Sequence, residues 1–251
     1  MNRSLKQLLY SLVYVVVFFL ILGILWNIIS KRPPTCTDGI KNQDEIGIDC
    51  GGMCISCELK NIQPIELLGY SVMSLRSGHV SLLVHVKNPN ETHHASPFSY
   101  TVRLFDENNI EREAFSGTAS LVANSDGYVL ETNVLYSDPK DVKLEINEVN
   151  WKLKESFAVP EIIIQNASTT IDGNVVRVKG MIENKSSFES ENIHIIAVLG
   201  GGYNEDVYAS EMVLTRLEPF RKEQFSVIFP NDAEIVQRLK TSTTRIIVQA
   251  E

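Results

Sequence analysis

The chain has 251 residues, 44% of them hydrophobic, with 23 basic and 31 acidic side chains and a net charge of −8. Setting aside Arg3, Lys6, Lys31 and Arg32, which flank one apolar run, leaves 19 basic residues against 31 acidic ones in the rest. So acidic a surface repels phosphate backbones and argues against nucleic-acid binding, and the lack of low-complexity sequence excludes a long disordered tail.

No charged residue lies between Lys6 and Lys31. The run Leu8 to Ile29 is 22 residues, about 33 Å as a helix at ~1.5 Å per residue, against a hydrocarbon core of ~30 Å. This predicts a cytoplasmic tail over 1–7 and one transmembrane helix over 8–29. A cleaved signal peptide has a shorter apolar region and a small-x-small site, which Ile28-Ile29-Ser30 lacks, so an uncleaved signal anchor is the reading. The flanking positive charges are nearly balanced and do not orient it. The helix carries no ionisable group and only one glycine, Gly23, so neither an ion path nor a small-residue dimer face is expected.

All four cysteines, Cys36, Cys50, Cys54 and Cys57, fall in the next segment, a neck over 33–60. With four glycines and few apolar residues it cannot bury a core, so a cross-link must hold it: two disulfides or a tetrathiolate metal site. Zinc sites pair two short knuckles, whereas here three cysteines crowd together and the fourth stands apart, which favours disulfides. Three pairings are allowed. Such cysteine density suits an oxidising compartment and places the N-terminus in the cytoplasm with everything from about residue 33 outside. Asp38, Asn42, Asp44, Glu45 and Asp49 offer oxygens at the density calcium takes, though not at EF-hand spacing, and the same residues favour tight turns by bonding their own backbone. The segment resembles a short Cys-rich module of bacterial surface and secreted proteins, C-x-D-G-x-x-N-x-x-E-x-G-x-D-C-G-G-x-C-x-x-C, matched from Cys36 to Cys57. That resemblance implies an extracellular setting and no activity.

Beyond Cys57 the pattern has period two. Val80, Leu82, Val84 and Val86 alternate with Ser81, Leu83, His85 and Lys87, giving a strand with one fully apolar face. Tyr100, Val102 and Leu104 repeat the scheme. Further strands are predicted at 65–75, 115–123, 127–136 and 141–153, each bounded by Gly, Asn, Asp or Pro, and this density of short strands predicts a β-sandwich over 61–156. The pattern then recurs. Val84 to Asn88 corresponds to Gly180 to Asn184, and Ser99 to Phe105 corresponds to Asn192 to Val198, so a second sandwich is expected over 157–251. Its strands are predicted at 161–170, 174–184, 191–199, 205–216, 222–229 and 243–250, with one or two helical turns between Asn231 and Lys240 from the spacing of Ala233, Val236 and Leu239.

No catalytic constellation emerges. His79, His85 and His194 lie in or beside strands, and His93 and His94 sit in the polar stretch Asn88 to Pro97, without a nearby third ligand for a metal. Gly200-Gly201-Gly202 lacks any phosphate-loop pattern around it and reads as a hairpin turn. The stretch Asn88 to Pro97, long and polar, is the expected contact loop, with Asn88, Asn90, His93 and His94 as its candidate residues.

The two repeats resemble FxLYD-type Ig-like domains of bacterial envelope proteins. Val102-Arg103-Leu104-Phe105-Asp106 is similar to the naming motif, with Val for Phe and Phe for Tyr. Ile196-Ala197-Val198-Leu199-Gly200 keeps its apolar positions and loses the Asp. The resemblance implies an all-β ectodomain of two tandem Ig-like sandwiches with binding or structural roles. The expectation is therefore a single-pass, non-enzymatic component of the cell envelope that touches the bilayer through 8–29 and an envelope protein through its sandwiches. No cofactor is expected apart from the calcium considered above. A ligand-binding sensor or enzyme accessory subunit using the second sandwich is the alternative, and homo-oligomerisation through the neck or the sandwich edges is a third arrangement.

Overall fold

The computed structural model describes residues 3–30, 35–42, 44–156, 158–202, 205–239 and 243–250; in the first helix, side chains are described for Gln7 and for 10–26. The chain divides into two compact units, Met1–Ile62 and Gln63–Glu251.

In the first unit, helix α1 covers Arg3–Ser30. Its described side chains from Tyr10 to Trp26 are exposed and uncharged. The expected span 8–29 overruns that stretch at both ends, and Arg3, Lys6, Lys31 and Arg32 lie outside the described side chains. Among the described residues no helix is long and apolar enough to cross a membrane. The neck is closed by two disulfides, Cys36–Cys54 and Cys50–Cys57, which selects one of the three pairings that the spacing allowed.

The second unit is all-β apart from short helical turns. Its strands are β1 (Glu66–Ser74), β2 (Val80–Asn88), β3 (His93–Phe105), β4 (Glu111–Leu121), β5 (Ser125–Glu131), β6 (Asp141–Leu153), β7 (Ile162–Asp172), β8 (Val175–Asn184), β9 (Ser190–Gly200), β10 (Asp206–Leu217), β11 (Lys222–Ile228) and β12 (Arg245–Gln249). They form four three-stranded antiparallel sheets: β1-β2-β5, β4-β3-β6, β11-β8-β7 and β10-β9-β12. Strand order in β7 to β12 repeats that of β1 to β6, with β8 in the place of β2 and β9 in the place of β3.

One buried asparagine in each repeat marks the correspondence. The Asn88 amide donates to the carbonyls of His93 and Val122, and its oxygen accepts from the Asn90 amide N–H. Asn184 donates to the carbonyls of Phe188 and Leu217 and accepts from the Ser186 N–H. Each side chain thus ties the end of one strand to two loops and satisfies carbonyls that would otherwise be buried unpaired.

Within the first repeat, Val80, Leu82, Val84 and Val86 of β2 pack with Phe98, Tyr100, Val102 and Leu104 of β3 in one cluster. In the second, Val176, Val178 and Ile182 of β8 pack with Ile193, Ile195, Ala197 and Leu199 of β9 and with Phe225 and Val227 of β11. That second cluster also takes in Met73, Leu75, Leu83 and Leu130 from the first repeat. These residues stand on the face of β1-β2-β5 that points away from the first core, because successive strand side chains alternate faces. Strands β2 and β9 are therefore buried on both sides, and the sheets stack in four layers: β4-β3-β6, β1-β2-β5, β10-β9-β12, β11-β8-β7. The fully apolar face expected of β2, Val80, Leu82, Val84 and Val86, is buried, and on its other face Ser81 and Leu83 are buried as well.

The helix expected after Asn231 is α2 (Ala233–Arg238), capped by Asp232, whose carboxylate accepts from the Glu234 N–H. Its fully buried residue is Ile235, with Val236 and Leu239 partly buried beside it.

Candidate functional site

The contact loop expected at Asn88 to Pro97 is corrected by the structure. Asn88, Asn90, His93 and His94 are all buried, and β3 begins at His93, so the stretch forms a corner tied by hydrogen bonds. Asn90 clamps the incoming chain at Gln63 through two bonds of 2.8 Å, one to its carbonyl and one from its N–H. The His93 Nδ1 lies 2.9 Å from the Thr92 hydroxyl. Pro97, lacking an N–H, is exposed where the register of β3 slips between Ala95 and Phe98, the place in a sheet where a proline is tolerated. Composition read this stretch as exposed because its polar groups are numerous, yet those groups are spent on the backbone.

His94 Nδ1 accepts from the Ala123 N–H at 3.0 Å, which puts the proton of the neutral ring on Nε2. Burial holds this imidazole below the usual histidine range, and the charges of Lys154, His93 and Lys152 push the same way against a backbone hydrogen bond at Lys154. The unfolded chain takes up a proton as pH falls below about 6.5, whereas the folded chain resists it. Stability is therefore expected to decline on acidification through that range. His94→Gln, which keeps an acceptor for Ala123, should flatten the decline in a series of denaturant midpoints between pH 5 and 8.

The five candidate calcium ligands do not share a coordination sphere, and among the described residues no group of three or more His, Cys, Asp or Glu side chains is placed to hold a metal ion. The oxygens of three of them close turns. Asp38 accepts from the Ile40 N–H and the Asn42 amide, Asp49 from the Gly39 N–H, and Glu45 from the N–H groups of Asn42 and Asp49. Those bonds, first of all the one from Ile40, hold the Asp38 carboxyl below the usual carboxylate range. Cys36→Ser together with Cys54→Ser is expected to destabilise this knot by about 2–5 kcal/mol. Trypsin should then cut after Lys41 while the thermal transition of residues 63–251 stays where it was.

The feature that sequence reading missed is the seam between the repeats. Strand β10 lies against β1, β2 and β5. The Ala209 N–H donates to the buried Ser81 hydroxyl at 3.1 Å. At one end Ser77 donates to Asp232, and the Arg76 N–H donates to Glu234 at 2.8 Å. Elsewhere along the seam, the Gln249 amide accepts from the Tyr128 N–H and donates to its carbonyl, tying β12 to β5. The available signal was apolar runs such as Ile195 to Leu199, which mark a strand covered on both faces.

Beside Gln249 the seam forms a partly open pocket of about 60 Å³, lined among others by Tyr100, Tyr128, Leu130, His194, Ile196 and Glu211. The Tyr100 hydroxyl donates to Glu131 at 3.1 Å, and His194 Nδ1 lies 3.1 Å from Glu211. Burial raises the Glu131 carboxyl, and the Glu211 charge adds to this against the Tyr100 hydrogen bond. Tyr100 is raised by burial first and by Glu131 next. Ligand pockets are usually ~300–1,000 Å³, so this one is well below the size that takes a sugar or metabolite. Larger open grooves lie on the surface, among them one of about 610 Å³ along Asn166, Lys179, Met181, Met212 and Gln224 and one of about 490 Å³ along Pro97, Ser99, Glu148 and Asn150. Each of these two lies where a bulge interrupts strand pairing.

The site and fold thus define an all-β protein with a disulfide knot. No family model matches the chain, and no curated protein matches it. Among solved structures it is similar to red sea bream transglutaminase, at 12% identity and a TM-score of 0.24, over 76% of this chain and 29% of that one. The chain spans less than a third of that protein's length, and a likeness this distant carries no argument.

Proposed function

We propose that the chain is a single-pass, extracytoplasmic interaction or assembly component of the cell envelope. Residues 8–29 cross the bilayer with the N-terminus inside, the disulfide neck follows, and the two repeats are Ig-like sandwiches of the FxLYD type. The observation that carries this reading is the knot, whose two disulfides need an oxidising compartment and begin six residues after the helix ends at Ser30.

The seam supports a binding role over a chemical one, because it joins the repeats in one compact unit while leaving polar outer faces. On β4-β3-β6, Arg103 pairs with Glu111 and Glu145. On β11-β8-β7, Glu183 pairs with Lys185 and Lys222. Neither outer face repeats the apolar surface of the seam, so stacking of further copies is disfavoured. The grooves at Asn166 to Gln224 and at Pro97 to Asn150 are the surfaces proposed for a partner.

Crosslinking of the full chain in intact cells tests this. Links from lysines of the second unit, Lys179 foremost, to an envelope protein are the expected result. Links confined to α1, or to cytoplasmic proteins, would defeat it.

A further inference from the structure

The knot carries an unusual surface for so small a body. Ile40, Ile46, Ile48, Met53 and Ile55, five large apolar side chains in 16 residues, are between 54% and 88% exposed. They stand outside by construction. A side-chain carbon on Gly47 would meet the sulfurs of Cys50 and Cys57 at 2.8 and 3.2 Å, so the interior there is already filled by a disulfide.

The backbone gathers four of the five. Cys50 N–H bonds back to Gly47, and Cys54 N–H to Gly51, making two successive turns with Ile48 and Met53 within them. Ile46 lies over the Cα of Gly51, and the Gly51 N–H donates to the Ile55 carbonyl. Of the acidic side chains between 38 and 49, Asp38, Glu45 and Asp49 turn their oxygens to backbone N–H groups of the knot itself, and Asp44 stays exposed beside this surface.

The chain limits what can cover it. Six residue steps separate Ser30 from Cys36, a reach of at most roughly 20 Å at full extension. We infer that the knot seats on the outer lipid interface, with Ile46, Ile48, Met53 and Ile55 dipping among the headgroups and upper acyl chains. This rests on the proposal that 8–29 spans the bilayer, since only then is the tether short enough to keep the knot at the membrane surface. The knot is then a foot as well as a spacer. The contact is apolar, so it does not depend on anionic lipid.

The test uses the full chain in nanodiscs of purely zwitterionic lipid carrying a photoactivatable carbene near the glycerol, with a parallel set carrying the carbene deep in the acyl chain. Labelled residues are mapped by mass spectrometry. The deep probe reports α1 independently. The expected result is α1 labelled by the deep probe and the 46–55 segment labelled by the shallow one. Labelling of that segment should fall several-fold in the Ile48→Ser, Met53→Ser double variant, in which two exposed side chains are changed and both disulfides kept. Deep labelling of α1 with an unlabelled knot would overturn the inference and leave the spanning helix standing. Loss of label from α1 would overturn the spanning helix itself, and the inference with it. Knot labelling that appears only when anionic lipid is added would also overturn it.

Discussion

Replacing Asn184 by alanine is expected to lower the stability of the second unit by about 3–5 kcal/mol, and Asn88→Ala by a similar amount, because each removal strands several buried backbone groups at ~1–3 kcal/mol apiece. In the Asn184 variant the carbonyls of Phe188 and Leu217 lose their donor and the Ser186 N–H loses its acceptor. Water cannot repair this cheaply, since Asn184 is fully buried. Asn184→Asp should be at least as damaging, because a carboxylate placed against two carbonyl oxygens cannot donate to them. The exposed Asn150→Ala, by contrast, should stay within about 0.5 kcal/mol. For a unit of this size the loss corresponds to a fall in melting temperature on the order of 10 °C. Thermal scans of the three alanine variants check it.

The second large effect is at the seam. Ile196 is buried on the face of β9 opposite to Ile195 and Ala197, and it lines the same pocket as Leu130 of the first repeat. Ile196→Asp puts a carboxylate with no partner cation into that layer, beside Glu211 on the neighbouring strand. A cost of about 4 kcal/mol or more is expected, the range reached when an unpaired charge is buried. Its consequence differs from that of the asparagine variants. The core between β8 and β9 is untouched, as is the core between β2 and β3, so each repeat keeps its own packing while their union is lost. Calorimetry should show one cooperative transition in the wild type and in Asn184→Ala at reduced temperature, but two separable transitions in Ile196→Asp. A milder seam variant, Leu83→Ala, should cost about 2–5 kcal/mol through the cavity it leaves.

Much of the strand order could be read from the chain because half-buried strands announce themselves by period two. The repeat of Val84 to Asn88 in Gly180 to Asn184 is visible as sequence, and its structural meaning is the paired asparagine corner. The seam was not legible. Which face of β2 meets which face of β9 is decided by the pairing of whole sheets, and Leu83 or Ile196 alone does not reveal it. The polar stretch around His93 and His94 misled for a related reason. Asn, Thr and His advertise exposure by composition, yet they equally serve buried corners where many backbone groups need partners, and only the three-dimensional neighbourhood of Ala123 and Gln63 distinguishes the two. Cysteine pairing lay beyond the sequence because four cysteines in 22 residues satisfy every connectivity by reach alone.

The repeats are joined heterologously: a β1-β2-β5 face of one meets the β10-β9-β12 face of the other, which corresponds to β4-β3-β6. Such a joint leaves one unmatched face at each end, and the ion pairs of Arg103 and of Glu183 give those faces a solvated character. Partner binding is then expected at the bulge grooves and sheet edges instead of through the broad faces.

The proposed function puts the second unit outside the cell, on a chain anchored by residues 8–29. Protease added to intact cells tests that placement most directly. The account predicts that residues 63–251 are digested or released while a fragment containing α1 stays with the membrane. Protection of residues 63–251 in intact cells, with digestion only after the membrane is permeabilised, would contradict it.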